Sequence, residues 1–157
     1  MADTDRIAEI TLDEASIARR GPDVEHERRV AIFDLLEQNF FAPAGIAAGP
    51  YRLRLLIEEN RLVFDIRNAE DQPMRRIGLA FSTFRRIIKD YAQVCDTYYA
   101  AIKTAPLSRI EAIDMGRRAM HDEGSQLLQA RLKGKIEVDS ETARRLFTLL
   151  CAMQQRR

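Results

Sequence analysis

Asp114, Arg117 and His121 follow one another at spacings of three and four in the stretch from Ile110 to Leu128, IEAIDMGRRAMHDEGSQLL. On a helix such residues are surface neighbours. A carboxylate that orients an imidazole can make it a general base. A guanidinium holds a carboxylate or phosphate through its fork of N–H donors. The same stretch carries an apolar stripe. At about 100° per residue, Ile110, Ile113, Met120, Leu127 and Leu128 share one side of the wheel. Arg117 falls near the middle of that side, with Asp114 and His121 beside it. An unpaired buried charge is very costly. This helix therefore carries either a buried ion network or the wall of a polar site. Asp114 and His121 are the candidate catalytic residues. Arg117 is a candidate anion holder, expected to be largely buried and paired with Asp114 or with a carboxylate from another helix.

A second polar helix, read over residues 23–39, offers Glu25, His26, Glu27 and Arg29. If the two helices pack face to face, His26, Arg29, Arg117 and His121 converge on one pocket for an anionic ligand. A nucleophile is missing from this set. Cys95 and Cys151 fall on apolar helical faces and read as buried free thiols. Ser125 follows a glycine, but outside the GxSxG context of a nucleophile elbow. With two histidines and no CxxC, no metal set is expected. GxxxxGK[ST] and GxGxxG are both absent, so no cofactor is expected either.

The elements that must position these residues are legible in part. Residues 6–12 (RIAEITL) alternate and read as a strand. Residues 13–20 fit no single element. Gly21-Pro22-Asp23 is a break and a helix start, with Asp23 able to cap. The apolar side of that helix holds Ile32, Phe33, Leu36 and Phe40, with Arg29 intruding. Residues 41–50 (FAPAGIAAGP) read as a loop on the core edge, or as a lid or partner-binding loop.

Residues 51–58 and 61–67 flank Glu59-Asn60, a two-residue turn that fits a β-hairpin. Placing Glu58 opposite Arg61 puts Ile57 against Leu62, Leu55 against Phe64 and Leu53 against Ile66, all on one face. Arg54 then meets Asp65 on the other. A slip of one residue destroys both patterns. Leu56 and Val63 fall on the charged face, where they are candidates for docking a protein partner or a second copy. Residues 75–81 read as the next strand.

From Ser82 the chain reads as helical. Phe84, Ile87, Ile88, Tyr91, Val94, Cys95, Tyr98 and Ile102 form one stripe. Pro106 breaks it. Ser108 with Glu111 suggests a capping box for the next helix, which Gly134 ends. Asp139 caps a last helix whose stripe is Ala143, Leu146, Phe147, Leu150 and Met153. The expected fold is α+β: one domain over residues 1–157, with an antiparallel meander of three to four strands packed on about four helices.

Composition narrows the function. A net charge of +1 on 157 residues gives no strong field for nucleic acid or acidic membranes. Arginine outnumbers lysine 21 to 4, but its seven Arg-Arg pairs are spread along the whole chain and balanced by 24 acids, which makes nucleic-acid binding the weakest reading. The apolar runs are too short to span a bilayer, and residues 1–10 do not read as a signal peptide, so the expected setting is the cytoplasm.

Five blocks resemble a family of small alphaproteobacterial proteins with no attached activity: PDVEHERRVAIFDLLEQN, NRLVFDIR, FRRIIKDYAQVCDTYYAAI, IEAIDMGRRAMHDEGSQLL and IEVDSETARRLFTLLCAM. The resemblance covers nearly the whole chain. It implies a bacterial cytosolic protein of one domain and transfers no functional residue. Residues 41–50 look least like the family pattern, which implies a variable loop rather than the site. The first expectation is a small non-enzymatic interaction or regulatory protein. The alternative is an enzyme or binding protein for a small anionic ligand, using the Arg/His/Asp pocket.

Overall fold

The computed structural model describes residues 4–17 and 21–153. The residues at 18–20 and the basic end at 154–157 lie outside them. Strand β1 (Ile7–Leu12) leads through a short 3₁₀ turn and helix α1 (Pro22–Glu37) to β2 (Phe41–Pro43). Strands β3 (Tyr51–Glu58), β4 (Arg61–Arg67) and β5 (Pro73–Ala80) follow. The chain then forms α2 (Ser82–Thr104), α3 (Leu107–Leu132), β6 (Ile136–Val138) and α4 (Ser140–Cys151).

The hairpin of β3 and β4 has the expected register. Leu55 pairs with Phe64, Leu53 with Ile66, Ile57 with Leu62, Arg54 with Asp65, and Glu58 with Arg61. Glu59 and Asn60 take φ of 51° and 63°, the two left-handed residues of a tight hairpin turn. Strand β5 adds antiparallel to β4 and begins at Pro73, which the first position of an edge strand tolerates because proline has no N–H to donate to a ladder.

The N-terminal strand corrects the meander. It joins the sheet, giving the order β1-β3-β4-β5, but runs parallel to β3, with Ile10 beside Leu53 and Leu12 beside Leu55. Helix α1 is the cause: it lies between the two strands and carries the chain back to the end of the sheet where β1 began, as a parallel connection requires. The segment expected to be loop holds another strand. Phe41 to Pro43 pairs antiparallel with Ile136 to Val138 as a separate two-stranded sheet.

The apolar face of the main sheet (Leu53, Leu55, Phe64, Ile66) shares one core with Leu35 of α1, Phe84 and Ile88 of α2, Leu128 of α3, and Leu146, Phe147 and Leu150 of α4. Asn39 ties α1 to β1. Its side chain accepts from the Ile7 N–H at 2.7 Å and donates to the carbonyls of Ile7 and Leu35. The apolar side of α1 is turned from its expected position: Ala31 and Leu35 are buried, while Phe33 is 64% exposed.

Caps fall as expected at one helix start out of three. Asp139 accepts from the Thr142 N–H at 2.8 Å and starts α4. Helix α1 starts behind Gly21 without a side-chain cap, leaving Asp23 in its first turn. Helix α3 starts behind Pro106, so Ser108 lies inside the first turn and the expected capping box does not form. Only the second half of α3 enters the core, from His121 through Gly124, Ser125, Leu128 and Leu132. Its first half packs on α2 in a long hairpin that leaves Ile102, Leu107 and Met115 exposed.

Candidate functional site

A cleft of about 530 Å³ opens where α1, α3 and α4 meet. Helix α1 presents His26, Glu27, Val30 and Asp34 to it, a spacing that marks one helical face. Helix α3 contributes Arg117, Arg118 and His121. Helix α4 contributes Glu141, Arg144, Arg145 and Thr148, and α2 adds Tyr91. Four arginines and both histidines thus meet in one place, against three lining acids.

Arg117 is the best-held cation. Its Nη2 and Nε donate to Asp114 Oδ1 at 2.7 and 3.1 Å. Its Nη1 lies 3.6 Å from Glu27 of α1. Its guanidinium carbon stands 4.4 Å from the centre of the Tyr98 ring. Glu27 also accepts from the Tyr99 hydroxyl. Both partners that the sequence allowed Arg117, one on its own helix and one across the packing, are therefore in place. Asp114 is shared, since Arg118 Nε lies 3.0 Å from its other oxygen. The hydrogen bond from Arg117 leads in holding its carboxyl below the usual range.

The expected Asp114–His121 pairing is not formed. The two residues are seven apart, about two turns or ~10 Å along the axis. Asp114 bonds to the two arginines, and His121 takes its partner from α4 instead. His121 Nε2 lies 2.8 Å from Thr148 Oγ1. The ring is 9% exposed and stands edge-on to Tyr91 and Phe147, at centroid distances of 5.3 and 5.2 Å. Burial first, then the charges of Arg144 and Arg117, push its pKa down to about 4. The ring is neutral at physiological pH.

Gly124 makes this packing possible. A Cβ at that position would lie 2.1 Å from Phe147 Cζ. The missing side chain lets Phe147 press against α3 one turn below His121.

Of the other expected ligand residues, His26 is exposed at the rim of the cleft, and Arg29 is exposed and outside its lining. The α4 residues were overlooked. Their signal was present in the sequence: Glu141, Arg144, Arg145 and Thr148 recur at i, i+3, i+4 and i+7 beside the apolar stripe of the same helix. Arg144 pairs with Asp122 of α3, and Arg145 with Glu141 at 2.8 Å.

Leu56 and Val63 lie opposite each other on the second face of the sheet, each 7% exposed within the lone chain. Gly78 is the next residue in their row, and the Arg61 side chain bonds its carbonyl at 3.3 Å. Arg76 on β5 reaches Glu58 on β3 at 3.2 Å, and the register puts Val63 between them. Long arginine stems cover such apolar positions while their heads stay in water. Among the described residues no group of three or more metal-ligating side chains gathers, and no helix is long and apolar enough to cross a membrane.

Comparison with known proteins gives one consistent answer. The description "Uncharacterised protein family (UPF0262)" matches residues 4–156. A UPF0262 protein of Nitrobacter hamburgensis is 58% identical over 148 residues, covering 94% of this chain and 90% of its own. One from Bradyrhizobium sp. (strain ORS 278) is 59% identical over 151 residues, covering 96% and 90%. A third, from Rhodopseudomonas palustris (strain BisA53), is 58% identical over 147 residues, covering 94% and 90%. No solved structure matches the chain. With identity this high over nearly its full length, and with the family description spanning its core, its hairpin and every wall of the cleft, the chain belongs to the UPF0262 family.

Proposed function

We propose that this protein binds a small anionic molecule, a carboxylate or a phosphate, in the cleft between α1, α3 and α4, and that it does so as a non-enzymatic regulatory protein. One observation carries the reading: Arg117, Arg118, Arg144 and Arg145 line a single cleft with His26 and His121. Planar guanidinium forks suit carboxylate and phosphate oxygens. Arg117 is the fixed wall, held by Asp114, Glu27 and Tyr98. Arg144 is the adjustable element. Its pair with Asp122 leaves the side chains 39% and 49% exposed, so it exchanges partners at little cost. The preference for binding over turnover rests on the hydroxyl inventory. Apart from Tyr91, the lining hydroxyl is that of Thr148, which His121 already engages. The setting we propose is the bacterial cytoplasm, supported by Cys95, a buried free thiol that suits a reducing compartment.

The test is a calorimetric titration of the purified protein with inorganic phosphate and with succinate, repeated on Arg144→Ala. Saturable binding that weakens tenfold or more in the variant supports the reading. If neither probe gives heat or perturbs the His121 ring signals in NMR spectra, the anion reading fails.

A further inference from the structure

The hydrogen bonds around His121 favour the tautomer with its proton on Nε2. The Thr148 hydroxyl has a single hydrogen, and it donates that hydrogen to the Arg144 carbonyl at 3.2 Å. Toward His121, Thr148 Oγ1 therefore only accepts. In this arrangement His121 Nε2, 2.8 Å away, is the N–H donor. In a neutral ring the other nitrogen, Nδ1, is then a bare acceptor. Nδ1 is buried and has no hydrogen-bond partner among the described residues. A buried acceptor left unpaired is costly, because it has given up its bonds to water for nothing.

A second unpaired atom belongs to the same cleft. Three buried side-chain polar atoms lack a partner among the described residues: Arg28 Nε, His121 Nδ1 and Arg145 Nε. Two of the three come from cleft-lining residues. One is an acceptor and the other a donor, so a ligand that satisfies both must offer a hydrogen-bond donor as well as an acceptor; on an oxyanion that donor is an O–H.

We propose that the cleft selects an oxyanion that carries its own hydroxyl, with His121 Nδ1 accepting that hydrogen and Arg145 Nε donating to a charged oxygen. This rests on the anion-binding reading above. Arg144, whose charge faces the ring, swings from Asp122 to the ligand and brings the hydroxyl to the imidazole edge. Hydrogen phosphate and hydroxycarboxylates share this chemistry. Sulfate and simple dicarboxylates lack the hydroxyl, although they match in size and charge.

The experiment is a paired titration at pH 7.5: phosphate against sulfate, and malate against succinate, followed by calorimetry and by NMR of the His121 ring nitrogens. The expected result is binding at least tenfold tighter for the hydroxyl-bearing member of one pair. The pair that shows it separates a phosphate ligand from a hydroxycarboxylate. His121→Gln keeps an amide N–H for Thr148 and places nothing at Nδ1. It should erase the preference, bringing the hydroxyl-bearing member down to the affinity of its hydroxyl-free partner. His121→Phe, which keeps the aromatic packing, is the second variant if the first fails to fold. Equal binding within both pairs overturns the proposal and leaves the anion site standing. Binding of none of the four probes overturns the anion site itself. A ring spectrum showing the proton on Nδ1 overturns the tautomer argument directly.

Discussion

The guanidinium carbon of Arg117 stands 4.4 Å from the centre of the Tyr98 ring, while its nitrogens reach Asp114 and Glu27. One side chain thus joins three helices: its own α3, Tyr98 of α2 and Glu27 of α1. Its own side chain is 20% exposed, so the pairs are only partly screened. Arg117→Ala should lower stability by about 2 kcal/mol, combining a lost cation–π contact with two partners left half-buried. Arg117→Lys should recover less than half, because an ammonium cannot stack and fork at once. Urea unfolding of the two variants checks this. An unchanged midpoint for Arg117→Ala would mean the cluster contributes nothing.

Gly124 and Phe147 should be tightly coupled. Alanine in place of a mid-helix glycine usually gains up to about 1 kcal/mol. Here the added methyl meets the Phe147 ring at 2.1 Å, so overpacking should reverse the sign and cost about 1–3 kcal/mol net. Phe147→Leu opens the space. In a double-mutant cycle the Gly124→Ala penalty should shrink by more than 1 kcal/mol on the Phe147→Leu background. Simple additivity would contradict the close packing.

His121 predicts an acid sensitivity with a definite sign. Its folded pKa, about 4, lies below the unfolded value of 6.5. Between those values the unfolded chain takes up a proton that the folded ring refuses. The contribution is therefore complete above pH 6.5 and falls away as pH drops toward 4, by a total of about 3 kcal/mol. Denaturation curves at pH 7.5, 6 and 5 should show this loss, and His121→Gln should flatten it. Parallel curves for the two proteins would count against a buried neutral ring.

The hairpin turn offers a gain. Glu59 holds a left-handed φ of 51° that asparagine or glycine adopts more readily. Glu59→Asn should raise stability by about 0.5–1 kcal/mol without shifting the strand register. Thermal melting measures it, and a lower melting temperature would show that the glutamate contributes through its side chain.

The β3–β4 pairing was legible in the residues because a period of two and a two-residue turn leave one register that buries Leu53, Leu55, Phe64 and Ile66 together. The α4 stripe was legible for the same kind of local reason. The parallel docking of β1 was not, since its partner lies across the whole of α1, and alternation alone carries no strand direction. The three-residue strands β2 and β6 pair across nearly a hundred positions, too short for any periodic signal. In the cleft, Arg117 and His121 were visible as polar intrusions on an apolar face. Their true partners, Glu27 and Thr148, sit on other helices, where single-helix geometry cannot reach. The stripe from Ile110 to Met120 misled because Ile110, Ile113 and Met120 are only half-buried and lie outside the core.

That last feature bears on how the cleft behaves over time. Apart from the reach of Arg117 to Glu27 of α1, the first half of α3 packs on α2, and none of its residues is fully buried, so its amides should exchange with solvent through local opening events far cheaper than global unfolding. Arg117 and Arg118 sit in the last turn before the buried half begins. The outer hairpin is thus a lever whose fulcrum is the cleft wall. Anything that grips the arginines from the cleft should slow exchange out along the hairpin, and anything that clasps the hairpin tip near Leu107 should, by reciprocity, tighten the cleft.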